Sequence, residues 1–348
     1  MFHRPIGFRP HPRSLGRWLL VVAAMVFFIV IVGGITRLTE SGLSITQWKP
    51  IRGIIPPLNA AQWQAEFAGY KAIPQYQALN AHMTLEGFKH IYFWEYVHRL
   101  LARTIGMVLG IVLVVYWWRR WIPAGYGRRI LLILALGGLQ GAIGWWMVAS
   151  GLQYRTEVSH IRLATHLLAA LLIYSVLIWT ALDLHMLAEN TRSRRARLYL
   201  WPAVAIVILA LQILLGAFTA GLRAGYAFAS WPKMGETWFP AGGWADAHGF
   251  VWNVVSNPIV VQFIHRWWAW AVAIAALLLA AAARRAGAHA APVALVLLVA
   301  LQILLGITTL LTGVVLEIAV AHQAVAALLL GAMIWAAHRV GRSKPDLA

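Results

Sequence analysis

The stretch Val21-Val22-Ala23-Ala24-Met25-Val26-Phe27-Phe28-Ile29-Val30-Ile31-Val32 contains no charge, no proline and no turn residue. Arg17 precedes it, and Gly33-Gly34-Ile35-Thr36-Arg37 follows. Extended to 17–36, it has the length, about 20 residues, that crosses hydrocarbon as a helix. Seven further segments of the same kind follow, at 91–117, 130–150, 160–182, 198–220, 258–283, 292–312 and 316–338. The composition agrees with the segments. Of 348 residues, 61% are hydrophobic and 11% charged, where a soluble domain carries about 25% charged. Disorder, a coiled coil and an ordinary cytosolic enzyme are excluded. The reading is an all-α integral membrane protein with eight transmembrane helices. The basic residues ahead of the first segment would also suit a signal peptide. No small-x-small cleavage site follows, so a retained span is expected.

The formal charge is +18, which in a soluble protein suggests nucleic acid. Here the basic residues cluster between apolar spans, so the charge is topological and no nucleic-acid partner is expected. Arg4, Arg9, Arg13 and Arg17 precede the first span. Arg119, Arg120, Arg128 and Arg129 lie between the second and third. Arg192, Arg194, Arg195 and Arg197 lie between the fourth and fifth. Arg284 and Arg285 follow the sixth, and Arg339, Arg342 and Lys344 follow the eighth. In an eight-span chain all of these fall on one side, which places both termini in the cytoplasm. Two long loops, 39–90 and 222–257, then lie outside. The first holds an amphipathic stretch at 60–70 behind a helix cap at Asn59.

The chain also repeats itself. Glu95-Tyr96-Val97-His98-Arg99 resembles Gln262-Phe263-Ile264-His265-Arg266. The run from His166 to Leu172 resembles that from His322 to Leu328. Each match relates one four-span half to the other, giving two four-helix bundles, 1–190 and 191–348, related by a pseudo-twofold axis along the membrane normal. Leu139-Gln140 with Gly144, Leu211-Gln212 with Gly216, and Leu301-Gln302 with Gly306 hint at an older helix-pair unit.

Four histidines, His98, His166, His265 and His322, each sit six or seven residues into an inward-running span. That depth is roughly 10 Å at the α-helical rise. An ionisable residue inside a membrane is costly and marks function. Four at one depth, two per half, point to ligation. There is no cysteine among the 348 residues, so thiolate metal sites, disulfides and covalent c-type heme attachment are out. A zinc or di-iron site needs further carboxylates in each half, and the C-terminal half offers only Glu317 near a span entrance. One histidine pair per bundle suits a heme held axially. Gly33, Gly34, Gly137, Gly138, Gly216, Gly221 and Gly306 allow a flat macrocycle to approach backbone. Arg99 and Arg266 each follow a ligand and can pair bidentately with propionates. Trp94, Trp267 and Trp268 are candidates to line a pocket. The remaining histidines are assigned solvated or supporting roles (His82, His90, His160, His248) or carry no constellation (His3, His11, His185, His289, His338).

The halves differ at one position. Glu95 lies one turn before His98, on the same helix face, where the second half has Gln262. A carboxylate beside a heme can position water or accept a proton, and glutamine cannot accept one. One reactive half and one electron-transfer half follow.

The chain resembles the heme A synthase family. The resemblance rests on Gly33-Gly34-Ile35-Thr36-Arg37-Leu38-Thr39 with Ser41-Gly42-Leu43-Ser44, on Glu95-Tyr96-Val97-His98-Arg99, and on the three further histidines. It covers nearly the whole chain and, lacking cysteine, looks like the branch found in proteobacteria and mitochondria. It implies oxidation of the C8 methyl of heme O to the formyl of heme A, by two hydroxylations through an alcohol, with water supplying the oxygen. His265 and His322 would be axial ligands of a resident heme b. His98 and His166 would ligate the iron of the substrate heme O, with Glu95 catalytic at the reacting carbon. The implied setting is the bacterial inner membrane, with both sites toward the outer side. A heme O synthase, which is a farnesyltransferase, and an unidentified electron acceptor are the implied partners, besides membrane lipid. A di-heme electron-transfer cytochrome without substrate chemistry is the alternative; it needs no Glu95. A transporter built of parallel repeats would bind no pigment.

Overall fold

A computed structural model describes residues 10–48 and 52–342. Arg4, Arg9, Lys344 and His3 lie outside the described residues. Among those described there are eleven α-helices and no strand. Eight are long and apolar enough to cross a membrane: α1 (Pro12–Leu38), α4 (Leu85–Trp118), α5 (Gly127–Leu152), α6 (His160–Glu189), α7 (Leu200–Gly221), α9 (Pro258–Arg285), α10 (Ala290–Leu311) and α11 (Leu316–Gly341). They correspond one to one with the expected spans. Most run past the expected ends, because a helix continues beyond the hydrocarbon wherever its caps lie further out. α4 starts at Leu85, where Thr84 Oγ1 accepts from Gly87 N (3.3 Å). α9 starts at the expected Pro258, with Asn257 Oδ1 accepting from Ile259 N (3.0 Å) and proline in the first turn, where its missing N–H costs nothing.

The side-chain distribution is that of a bilayer protein. Leu20, Val21, Phe28, Ile111, Val114, Leu131, Val207, Ile274 and Leu297 are all exposed on span surfaces. In water such a belt would be an aggregation surface; in lipid it is solvated. The interior between spans is packed with Leu15, Leu19, Val22, Leu177, Leu184, Leu279, Leu295 and Met333.

Helix pairing fits two related halves. In the first, α1 packs on α4 and α6, and α5 packs on α6. In the second, α7 packs on α9, and α10 packs on α9 and α11. Between the halves, α1 meets α11, α7 meets α6, and α6 meets α11. Exchanging α1 with α7 and α6 with α11 maps this set onto itself, as a twofold relation requires. The halves are not identical: α1 lies much closer along α6 than α7 does along α11.

Basic loops gather at one end of the bundle. His11 N donates to Trp121 O (3.0 Å), Arg195 Nη2 to Gly125 O (2.5 Å) and Arg197 N to Gly341 O (3.0 Å). The start of α1, the two arginine-rich connections and the end of α11 therefore meet. The opposite end carries the long loops. Loop 39–84 contains α2 (Ala60–Lys71), capped by Asn59 as expected, since Asn59 Oδ1 accepts from Gln62 N (2.9 Å). It also contains α3 (Pro74–Leu79). Phe67 and Tyr70 of α2 pack on Phe88 and Tyr92 of α4, and burial raises the Tyr70 phenol pKa. The second long loop holds a 3-10 turn at Ala224–Tyr226 and α8 (Phe250–Ser256).

Candidate functional site

Each of the four histidines faces a glycine on the preceding membrane-length helix. A Cβ on Gly33 of α1 would lie 3.3 Å from Nε2 of His98 on α4. One on Gly144 of α5 would lie 2.9 Å from Cε1 of His166 on α6. Gly216 of α7 stands in the same relation to His265 of α9, at 3.0 Å, and Gly306 of α10 to His322 of α11, at 2.9 Å. Contacts under 3.0 Å are closer than real Cβ atoms come, and 3.0–3.4 Å is already tight. Any side chain at these positions would displace the ring. Of the glycines singled out from sequence, Gly33, Gly216 and Gly306 serve the rings. Gly34 makes room for Gln323 and Gly221 for His160, while a Cβ on Gly137 would make only ordinary contact with Leu109 and Gly138 has nothing within 4 Å. Gly144, noticed only in the helix-pair repeat, completes the set.

In the second half the two rings come together. His265 and His322 have ring centroids 6.5 Å apart at an interplanar angle of 90°. Two imidazoles bonded to one metal at about 2 Å each have centroids roughly 6–6.5 Å apart. The Nδ1 atoms of both rings are buried without a hydrogen-bond partner, an arrangement that is costly unless a ligand or a bound group changes it. Among the described residues, no three His, Cys, Asp or Glu side chains converge on one point. Paired histidines with glycine-lined walls and no third donor fit a heme, whose porphyrin supplies the remaining ligands, better than a metal held by protein alone.

Glu95 is buried, with 2% of its surface exposed. Its Oε2 accepts from Ser44 Oγ (2.7 Å) and Ile45 N (2.8 Å); its Oε1 accepts from Arg99 Nε (2.9 Å) and Nη2 (2.6 Å). Four donors match the roughly four lone-pair sites of a carboxylate. Arg99 also donates to the carbonyls of Ile45 (2.8 Å) and Gln47 (3.3 Å). The pair therefore clamps loop 39–48 onto α4. The second half builds the same latch with an amide in place of the carboxylate. Gln262 Nε2 donates to Ala224 O (2.7 Å) and Phe228 O (3.2 Å), and its Oε1 accepts from Arg266 Nη2 (3.0 Å). Arg266 reaches Ser230 O, Lys233 O and Phe228 O. Both guanidiniums, expected at propionates, are engaged by loop backbone; Arg266 Nε alone is buried without a partner.

The glycine-rich motif closes α1 and enters the loop. Gly33 faces His98. Thr36, itself buried, donates to Val32 O (2.8 Å). Arg37 Nη2 bonds Glu157 Oε2 (2.9 Å) and the Ala220 carbonyl at the end of α7 (2.9 Å), where a cation suits the helix dipole. Arg223 bridges Glu40 and Glu157. This network joins the two halves at the loop-bearing end. Ser44 completes the motif on Glu95.

Of the tryptophans, Trp267 clusters with Trp231, Trp238 and Phe263, and Trp268 Nε1 donates to Ile208 O (2.9 Å). His248 stacks on Trp252. His160 is 8% exposed, with Nε2 unpartnered. His338 carries a constellation that the sequence reading did not give it. Its Nε2 donates to Asp183 Oδ1 (3.0 Å), and Asp183 also accepts from Arg129 (2.5 Å) and Ala196 N (3.0 Å). Only the burial of one aspartate near a span end could have signalled it.

The family model described as cytochrome oxidase assembly protein, COX15-CtaA, matches residues 16–334. A heme A synthase of Rhizorhabdus wittichii is 66% identical over 345 residues, covering 99% of each chain. Heme A synthases of Sphingopyxis alaskensis (54%; 96% of this chain, 94% of the relative) and Novosphingobium aromaticivorans (51%; 94% and 95%) are similar over nearly the same length. With a family model spanning almost every helix and relatives matched end to end, the chain belongs to the heme A synthase family of cytochrome oxidase assembly proteins.

Proposed function

We propose that the chain is a heme A synthase, oxidising the C8 methyl of heme O to a formyl group by successive hydroxylations. The observation that carries the reading is the facing of His265 and His322 at 6.5 Å between glycine walls, repeated by sequence at His98 and His166. In this reading His265 and His322 hold a resident heme b in 191–348. His98 and His166 hold the iron of heme O, the substrate, in 1–190. Heme b supplies one-electron transfer. Arg99 and Arg266 give each site positive charge for propionates while anchoring the loop above it. Glu95, the one acidic difference between the halves, stabilises positive charge that develops at the reacting carbon or takes a proton there. With all four lone pairs engaged, proton acceptance requires Arg99 or the 39–48 loop to let go first. The basic end of the bundle faces the cytoplasm and the sites face the outer side of a bacterial inner membrane. A heme O synthase supplies the substrate, and an electron acceptor takes the reducing equivalents.

The test is heme extraction and chromatography on purified protein. Wild type should yield heme b with heme O or heme A. His265→Ala or His322→Ala should lose heme b and keep heme O in the other half. Full heme b in His322→Ala would reject the assignment.

A further inference from the structure

Three of the four histidines share a neighbour that the fourth lacks. On the preceding membrane-length helix, one turn ahead of the ring-facing glycine, stands a glutamine. Gln140 Nε2 donates to the His166 carbonyl (3.0 Å) and lies 3.1 Å from His166 Nδ1. Gln212 Nε2 donates to the His265 carbonyl (2.9 Å). Gln302 Nε2 lies 3.4 Å from His322 Nε2. All three amide oxygens are buried without a partner, and so are Nδ1 of His265 and Nδ1 of His322. In the C-terminal half each pair thus carries a spare acceptor on the glutamine and a spare nitrogen on the ring. A ligating imidazole offers its second ring N–H to such an acceptor, which fixes tautomer and ring orientation.

α1 breaks the pattern. Gly33 stands to His98 as Gly216 stands to His265. Thr36 and Thr219 follow these glycines at the same step, and each donates to the carbonyl one turn back, Val32 and Leu215. The residue in the glutamine position is Ile29. Among the described residues no hydrogen bond reaches the ring of His98 or of His265, but Gln212 holds the His265 carbonyl (2.9 Å) and no glutamine stands beside His98. That ring also stands differently: it turns Nε2 toward its glycine, at 3.3 Å from the Cβ position, where the other three turn Cε1 at 2.9–3.0 Å. His98 is the least closely held of the four.

We propose that Gln140, Gln212 and Gln302 are positioning residues that fix His166, His265 and His322, and that Ile29 leaves His98 as the releasable ligand of the substrate heme. The proposal rests on the heme-ligation reading above. A site that exchanges its macrocycle at every turnover needs one ligand that lets go. A resident site needs none. The distribution matches: one fixed and one loose ligand in the N-terminal half, two fixed in the C-terminal half.

The test uses full-length purified protein carrying its own hemes, with two readouts. One is the rate of carbon monoxide binding after reduction, which requires a histidine to leave the iron. The other is transfer of each heme to apomyoglobin, with heme O and heme b told apart by chromatography. Ile29→Gln should slow carbon monoxide binding and heme O transfer about tenfold, the low end of what an outer-shell partner contributes to metal binding. Ile29→Leu should leave both unchanged. Gln302→Leu should speed heme b transfer about 10–100-fold and open that heme to carbon monoxide. Should Ile29→Gln fail to fold, Gln302→Leu and Gln140→Leu test the positioning role independently. Ile29→Gln exchanging heme O at the wild-type rate, or Gln302→Leu retaining heme b as wild type does, overturns the proposal. His98→Ala and His322→Ala separate this from failure of the underlying reading. If those two lose their hemes while the Ile29 and Gln302 variants behave as wild type, ligation stands and the positioning proposal falls. If either keeps its heme in full, the ligation reading itself has failed.

Discussion

Glu95 illustrates how much one side chain can be asked to do. It is one turn from His98, and it also accepts from Ser44, Ile45 and Arg99. A latch and a group acting on the substrate make different predictions. Glutamine in its place keeps the shape but presents an amide N–H to donors. If Glu95 acts at the reacting carbon, Glu95→Gln should keep heme b, lose about 10²–10⁴-fold in heme A formation, and accumulate heme O or the alcohol. Ser44→Ala, which removes one donor and leaves the carboxylate, should then be mild. Equal losses in the two variants, with faster proteolysis of loop 39–48 in both, would reduce Glu95 to a latch. The glycines give a second residue-scale prediction. Gly306→Val places its Cβ 2.9 Å from His322 Cε1, so the ring must leave its position. Heme b content should drop sharply with heme O unaffected, as read by extraction. A Gly138→Val control meets open space and should bind both.

At the scale of elements, the basic end of the bundle is tied by Asp183 of α6. Its side chain has no exposed surface and joins Arg129 of α5, His338 of α11 and Ala196 N of the α6–α7 connection. Breaking a buried charge cluster by removing its centre costs about 3–5 kcal/mol. Asp183→Ala should therefore lower the temperature at which detergent-solubilised protein loses its hemes. His338→Ala, which leaves the Arg129 pair intact, should lower it less. Equal midpoints for wild type and Asp183→Ala would mean the cluster is incidental to stability. This cluster also marks the limit of sequence reading. Spans and the four span histidines are legible because an ionisable residue inside an apolar run stands out locally. One partner of Asp183, His338, lies on the last helix, and two donors to Glu95, Ser44 and Ile45, lie on a loop far back in the chain. No periodicity records such pairings. The helix-pair repeat of Gln140, Gln212 and Gln302 was visible but cheap, since Leu and Gly recur in any membrane helix. Only the facing of Gly144, Gly216 and Gly306 to histidine rings gave it physical meaning.

At the scale of the molecule, the two ends of the bundle differ in chemistry, and that difference predicts an orientation. One end joins the start of α1, the arginine-rich connections and the end of α11. The other joins Arg37, Glu157, Arg223 and Glu40 beneath the long loops. Positive charge flanking short loops is retained on the cytoplasmic side. The ring-facing glycine of α1, Gly33, lies near that helix's Leu38 end, and Gly216 lies near the Gly221 end of α7. Both belong to the loop-bearing end, so both histidine pairs should sit toward the outer surface. The chain has no cysteine, which makes single-cysteine labelling unambiguous. Tyr154 and Leu58 are exposed at the loop-bearing end, at 90% and 73%, and Arg194 is exposed at the basic end. In intact spheroplasts, Tyr154→Cys and Leu58→Cys should react with a membrane-impermeant maleimide, and Arg194→Cys should react only after lysis. Heme A production by each variant would show that the labelled chain is folded. Labelling of Arg194→Cys from outside, with Tyr154→Cys protected, would invert the bundle and bring the substrate and its oxidation to the cytoplasmic face.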